Sequence, residues 1–262
     1  MAQSPYAPSA VASIPAEVQQ MAAYSQLGNF KKEYQPSFTN PLAIIGILIG
    51  SIVLDIAVLV ALITFTGYLF YYLLIVPVLV LIWAINALKH YNWRIYLFNE
   101  GYIHARGSQL ELFRWDQIQA VYVNVTRSRS RVNMNFQVRR GDGALWKYGS
   151  AIKGHSELGA QVQEAVTRVQ LPRVIEAFNS GAQIPFGRLN VNGQGINDGK
   201  KIIPWDQIGT IEMNQGKVAV RQNGRLLTLS SIKASEVPNF NLLMSLVQYV
   251  VSRRQPQAYP QY

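Results

Sequence analysis

Residues 113–122 read FRWDQIQAVY and residues 203–212 read IPWDQIGTIE, so the tetrapeptide WDQI starts once at Trp115 and again at Trp205. In the first copy Trp115, Ile118 and Val121 are spaced by three, as are Trp205, Ile208 and Ile211 in the second. Strand-like alternation fails across each stretch and resumes after it. One helical turn between two strands would put the tryptophan and the isoleucine on a single face, toward the core. Asp116 and Asp206 would then sit where a short acceptor bonds a nearby backbone N–H. The motif therefore predicts a core plug at a strand-to-strand corner, made twice, with Trp115, Ile118, Trp205 and Ile208 as structural core. Neither aspartate has a partner histidine nearby in sequence, and buried tryptophan serves packing more often than ligand binding.

Outward from the motif, the two copies share more. Val132, Met134, Phe136 and Val138 alternate with Asn133, Asn135, Gln137 and Arg139, the pattern of a half-buried strand. Trp93, Ile95 and Leu97 alternate similarly, and turn signals recur at Asn99-Glu-Gly101, Arg106-Gly-Ser108 and Gly141-Asp-Gly143. A helix follows, with Ser156 as its N-cap and Leu158, Val162, Val166 and Val169 on one face, interrupted at Pro172 and ended by Gly181. The series then repeats in compressed form and closes with a helix from about Asn239. Val138-Arg139 answers Val220-Arg221, and Ser150-Ala-Ile-Lys153 answers Ser230-Ser-Ile-Lys233. Two units are expected, at 91–182 and 183–254.

Short strands closed by one C-terminal helix, twice over, resemble pleckstrin-homology-like (PH-like) barrels. More narrowly, RIYLFNEGYIHARGSQLELFRWDQIQAVY (94–122), PFGRLNVNGQGI (185–196), PWDQI (204–208) and EVPNFNLLMSLV (236–247) resemble an uncharacterised bacterial family in which a membrane hairpin precedes PH-like modules. The resemblance implies an α+β fold: a two-helix transmembrane hairpin followed by tandem PH-like antiparallel β-barrels, each closed by a C-terminal helix. Its motifs are structural and carry over no catalytic or binding residue.

The hairpin expectation also has its own basis. Leu42 to Leu88 is apolar throughout, with Asp55 its single ionisable group, long enough for two spans of about 20 residues each. Thr66-Gly67 is the turn signal nearest its middle. Lys31, Lys32, Lys89 and Arg94 flank the run, which places both termini in the cytoplasm of a multi-pass cell-membrane protein. Gly46 and Gly50 form a small-xxx-small pair, read as helix packing against Trp83 and Ala87, with homo-oligomerisation as the alternative. Asp55 would lie near mid-membrane, where a charge costs about 3 kcal/mol. Pairing beside Pro77 would let a protonated Asp55 donate to the Leu73 carbonyl, and a proton relay is the sharper alternative.

The remaining sequence sorts by composition. Residues 1–41, rich in Ala, Pro, Ser, Gln and Tyr, are expected to be a disordered tail, and 255–262 a flexible one. There is no cysteine, and His90, His104 and His155 show no metal-ligand spacing, so neither metal nor cofactor is expected. No nucleophile–base signature or phosphate-cradling glycine loop is present, which argues against an enzyme. From Lys89 onward 22 Lys/Arg face 11 Asp/Glu. Arg127, Arg129 and Arg131, on one side of an extended loop, would suit anionic lipid headgroups, with Arg139, Arg140 and Lys147 extending the patch. Nucleic acid is disfavoured because the aromatics are not interleaved with the basic residues. The sequence thus points to a non-enzymatic, membrane-tethered binding or scaffold protein that contacts anionic lipid or a protein partner. The alternative is a working membrane element, oligomeric or proton-linked through Asp55, regulated by the two units.

Overall fold

The computed structural model describes residues 14–66, 75–128, 131–224 and 227–254, without the side chains of 66, 126–128 and 131–133. The expected flexible tail at 255–262 and the turn at Gly67 lie outside the described residues. The chain runs α1 (Ala16–Tyr24), β1 (Phe30–Tyr34), α2 (Pro41–Thr66) and α3 (Ile75–His90). Strands β2 (Trp93–Phe98), β3 (Gly101–Arg106), β4 (Gln109–Arg114), β5 (Ile118–Ser128), β6 (Arg131–Arg140) and β7 (Leu145–Tyr148) come next, then α4 (His155–Asn179). The last third holds β8 (Ile184–Phe186), β9 (Leu189–Val191), β10 (Gly195–Asn197), β11 (Ile202–Pro204), β12 (Ile208–Asn214), β13 (Lys217–Gln222), β14 (Thr228–Lys233) and α5 (Phe240–Arg254).

The duplication is real in three dimensions, and both WDQ triplets form a single 3₁₀ turn, Trp115–Gln117 and Trp205–Gln207. Each turn ends a four-stranded antiparallel sheet, β1-β2-β3-β4 or β8-β9-β10-β11, and starts a three-stranded one, β5-β6-β7 or β12-β13-β14. Trp115, Ile118, Trp205 and Ile208 are all buried. Each indole N–H donates to a hairpin carbonyl, Trp115 to Asn99 at 2.8 Å and Trp205 to Asn192 at 3.0 Å. Asp116 accepts instead from the Arg114 side chain at 3.2 Å, not from the expected backbone N–H. The expected tandem barrels are not found. The four sheets are separate and none closes, because the 3₁₀ turn redirects the chain at each corner and no ladder joins the sheets across it.

Helix α4 is continuous through Pro172, contrary to the expected interruption, and its N-cap is Gly154 at φ 75° rather than Ser156. The proline marks a change of partner. Leu158, Val162 and Val166 pack into the first core, whereas Leu171, Val174, Ile175 and Phe178 pack against the second. One helix is therefore shared by both units. Asn239 couples them further: its Oδ1 accepts from the Val121 N–H at 2.8 Å and its Nδ2 donates to the Gln119 carbonyl at 3.0 Å. Its own backbone N–H donates to the Val121 carbonyl at 2.8 Å, covering the free edge of β5.

The described part of residues 1–41 is folded, which overturns the disordered-tail expectation there. Strand β1 pairs antiparallel with β2 across the whole apolar segment, Tyr34 opposite Ile95. Val18, Ala22 and Leu27, in and just after α1, cover Tyr96, Phe98, Ile103 and Ala105 on the outer face of that sheet. With both faces buried, β2 and β3 need apolar residues on both, and composition alone understates how much surface this N-terminal stretch removes from water.

The apolar segment also departs from the two-span hairpin. Helix α2 has 26 residues, about 39 Å at 1.5 Å per residue, and begins with Asn40 capping the Leu42 and Ala43 N–H groups ahead of Pro41. Helix α3 has 16 residues, about 24 Å, short of the roughly 30 Å hydrocarbon core. Among the described residues only α2 is long and apolar enough to cross a membrane. The two helices pack through Ile44 and Leu48 against Trp83, Ala84, Ala87 and Leu88. Gly46 and Gly50 do not take part: a Cβ built on either would meet nothing within 4 Å. The small residues that permit close approach are the alanines of α3.

Candidate functional site

Where the body meets the apolar helices, residues 35–37 clamp residues 150–153. Lys153 N–H donates to the Gln35 carbonyl and Ser37 N–H to the Ala151 carbonyl, both at 2.8 Å, and the Ser37 hydroxyl donates to the Ser150 carbonyl at 2.6 Å. Ser150, Ala151 and Ile152 of this clamp also line a cleft of about 450 Å³. Because β5 and β6 bury Val121, Val123, Phe136 and Val138 on one face, the alternate residues Tyr122, Asn124, Asn135 and Gln137 face outward and line one wall. Lys147, paired with Gln137 across β6 and β7, joins them. His90 and Trp93, from the end of α3 and the start of β2, line the cleft too, and Ser235 of the second unit completes it.

A second cavity, about 210 Å³, adjoins it and shares His90, Ser150 and Ala151. Its walls are Pro36, Phe38, Trp83, Asn86 and Ala87, with the Phe38 and Trp83 rings edge-to-face at 5.2 Å. The two cavities lie side by side, the first of mixed lining against the sheet and the second apolar against the helices. No carboxylate lines either part. Lys147 is exposed and has no hydrogen bond or ion pair among the described residues. His90 Nδ1 lies 2.6 Å from the Asn86 carbonyl, so Nδ1 is the donor and Nε2 is left for other partners. A Cβ at Gly149 would strike the Asn135 side-chain amide and make it shift. An ammonium, several amides and the Ser150 and Ser235 hydroxyls, without a carboxylate among the described residues, suit an oxyanion, held reversibly.

The backbone at the ends of the expected basic loop is strand: Arg127 lies in β5 opposite Val132, and Arg131 begins β6 opposite Ser128, so the two lie on opposite strands of a hairpin. Arg129 and the side chains of Arg127 and Arg131 lie outside the described residues. Arg140 is consumed structurally, by Asp142 at 2.6 Å, by the Leu112 carbonyl at 2.6 Å and by the Phe113 ring. That pairing holds the Asp142 carboxyl below its ordinary range. Arg139 stacks its guanidinium 5.8 Å from the Tyr122 ring, beside the cleft. Among the described side chains of the six, Lys147 alone lines the cleft. Asp55 lies on the half-buried stripe of α2 with Leu48 and Ser51, without a partner among the described residues; Leu73 lies outside them.

Sequence reasoning missed Asn124, Asn135, Gln137, Ser235, Phe38 and Trp83. The polar half of the β6 alternation was the available signal, but alternation marks a solvent face without saying what stands over it.

A second polar feature is closed. His104, 3% exposed, lies between the rings of Trp93 and Trp146 at 4.9 and 4.1 Å, and neither ring nitrogen has a partner. Burial first, then the Arg106 and His90 charges, push its pKa down to about 3, so the imidazole is neutral. Among the described residues no group of three His, Asp or Glu side chains could hold a metal ion.

The sequence model of a family of unknown function, DUF6585, matches residues 1–256. The chain belongs to DUF6585. No curated protein matches it. The match spans the folded N-terminal stretch, the apolar helices and both units.

Proposed function

We propose that the protein is a non-enzymatic, membrane-tethered binding protein whose folded body lies against the inner membrane surface and contacts anionic lipid or a protein partner there. The observation that carries this reading is α2, an apolar helix almost bare of protein contacts and joined at once to the body. Ile49, Val53 and Leu54 are 56%, 61% and 66% exposed, surface that water would penalise and lipid would accept. Because β1 precedes α2 and β2 follows α3, yet the two strands pair, both flanks of the apolar segment belong to one folded body. The basic residues Lys31, Lys32, Lys89 and Arg94 on those flanks support a cytoplasmic side for that body. In the cleft, an unpaired lysine among amides and hydroxyls supports binding rather than bond-breaking chemistry.

Alkaline extraction of membranes containing the full-length chain tests the tether. The protein should stay with the lipid pellet and be cut in its body only by protease added from the cytoplasmic side. Release into the supernatant as a folded monomer refutes the reading.

A further inference from the structure

We propose that the two adjoining cavities form one site for a single anionic glycerophospholipid, its phosphate headgroup held beside Lys147 and its proximal acyl chain laid against Phe38 and Trp83. The inference rests on the membrane-tethered reading and adds the ligand class and the residues that select it. Three observations select this occupant. First, the cavity of about 450 Å³, of mixed polar and apolar lining, is of ligand size and adjoins the apolar one of about 210 Å³ at His90, Ser150 and Ala151, so a ligand filling both must itself be amphipathic. Second, the apolar end is built from Trp83 and Ala87 on α3, which packs against α2, and from Phe38, three residues before α2 begins. On the membrane-tethered reading that end would lie at the level where a bilayer's chains meet its headgroups, where aromatic rings gather. Third, the polar end holds an exposed, unpaired ammonium and no carboxylate, which favours a net negative headgroup over a zwitterionic one. Asn135 and Gln137 can donate to phosphate oxygens alongside Lys147, and Gly149 keeps room for the Asn135 amide.

The test is native mass spectrometry of the full-length protein released from uncharged detergent micelles. The probes are dihexanoyl phosphatidylglycerol, dihexanoyl phosphatidylcholine and inorganic phosphate. Phosphatidylglycerol should be retained as a one-to-one adduct about 10-fold more tightly than phosphatidylcholine. Lys147→Gln should bring the two lipids within about 3-fold of each other by weakening only the anionic one, and Lys147→Arg should restore the preference. Phe38→Ser should weaken both lipids about 5-fold or more, with Phe38→Leu as the variant that keeps the clamp apolar. Equal retention of the two lipids, or a Lys147→Gln preference like the wild type, overturns the proposal. Inorganic phosphate competing as well as phosphatidylglycerol, with Phe38→Ser silent, would show a free-anion site instead and overturn it too. Alkaline extraction separates the two levels: a chain that stays in the membrane but shows no headgroup preference refutes the lipid site and leaves the tether standing.

Discussion

Replacing His104 with phenylalanine tests the aromatic box quantitatively. In the folded protein the imidazole is boxed in by Trp93 and Trp146, and its pKa is about 3 against an ordinary 6.5. Above pH 6.5 both folded and unfolded chains carry it neutral, and no stability depends on it. As pH falls below 6.5 the unfolded chain takes up a proton that the folded chain refuses, so stability is lost progressively down to the folded value. At pH 5 the loss is 1.5 units at 1.36 kcal/mol each, about 2 kcal/mol. The depressed Asp142 and Glu157 carboxyls act lower, below their ordinary pKa values of 3.8 and 4.5, and leave the window from 6.5 to 5 to the histidine. The assay is urea unfolding of the full-length protein in uncharged detergent, followed by indole emission at pH 7.5 and pH 5. Wild type should lose about 2 kcal/mol more than His104→Phe between the two conditions. Equal losses would mean that the imidazole is free to ionise in the folded state, and the reasoning about the box would fall.

Packing and coupling give further expectations. Gly159→Ala would drive a Cβ into the Phe136 ring where α4 crosses β6, and should cost about 1–3 kcal/mol, read as a lowered thermal midpoint. Asn239 has φ 53° and bridges both units, so Asn239→Ala should cost about 2–4 kcal/mol in urea unfolding. Asn239→Gly relieves the backbone term and should recover about 1 kcal/mol of that; no difference between the two would place the whole effect in the side-chain bonds. Asp55→Leu removes a partnerless carboxylate from α2, so membrane retention should be unchanged or higher and thermal stability should not fall. A destabilised Asp55→Leu protein would reveal a partner for the carboxylate. An intact one that loses every cellular phenotype would favour the working-membrane-element reading.

Local information carried far in this chain. The spacing of Trp115 and Ile118, and of Trp205 and Ile208, sufficed to place a single helical turn at each strand-to-strand corner, since a period of three over one turn is decided by neighbouring residues. The same holds for the β6 alternation and for the apolar composition of α2. What the sequence left undetermined was everything set by partners distant along the chain. Strand β1 reads as part of a polar tail because its partner β2 lies beyond the apolar segment. Pro172 looks like a helix stop, yet packing on two cores holds α4 through it. Gly46 and Gly50 read as a packing motif, although Ala84 and Ala87 make the approach. The cleft is the extreme case, drawing Phe38, Trp83, Lys147 and Ser235 from four separate stretches. Periodicity reports which side of an element is buried, and only the tertiary structure decides what stands opposite, because that choice belongs to the summed packing of the whole chain.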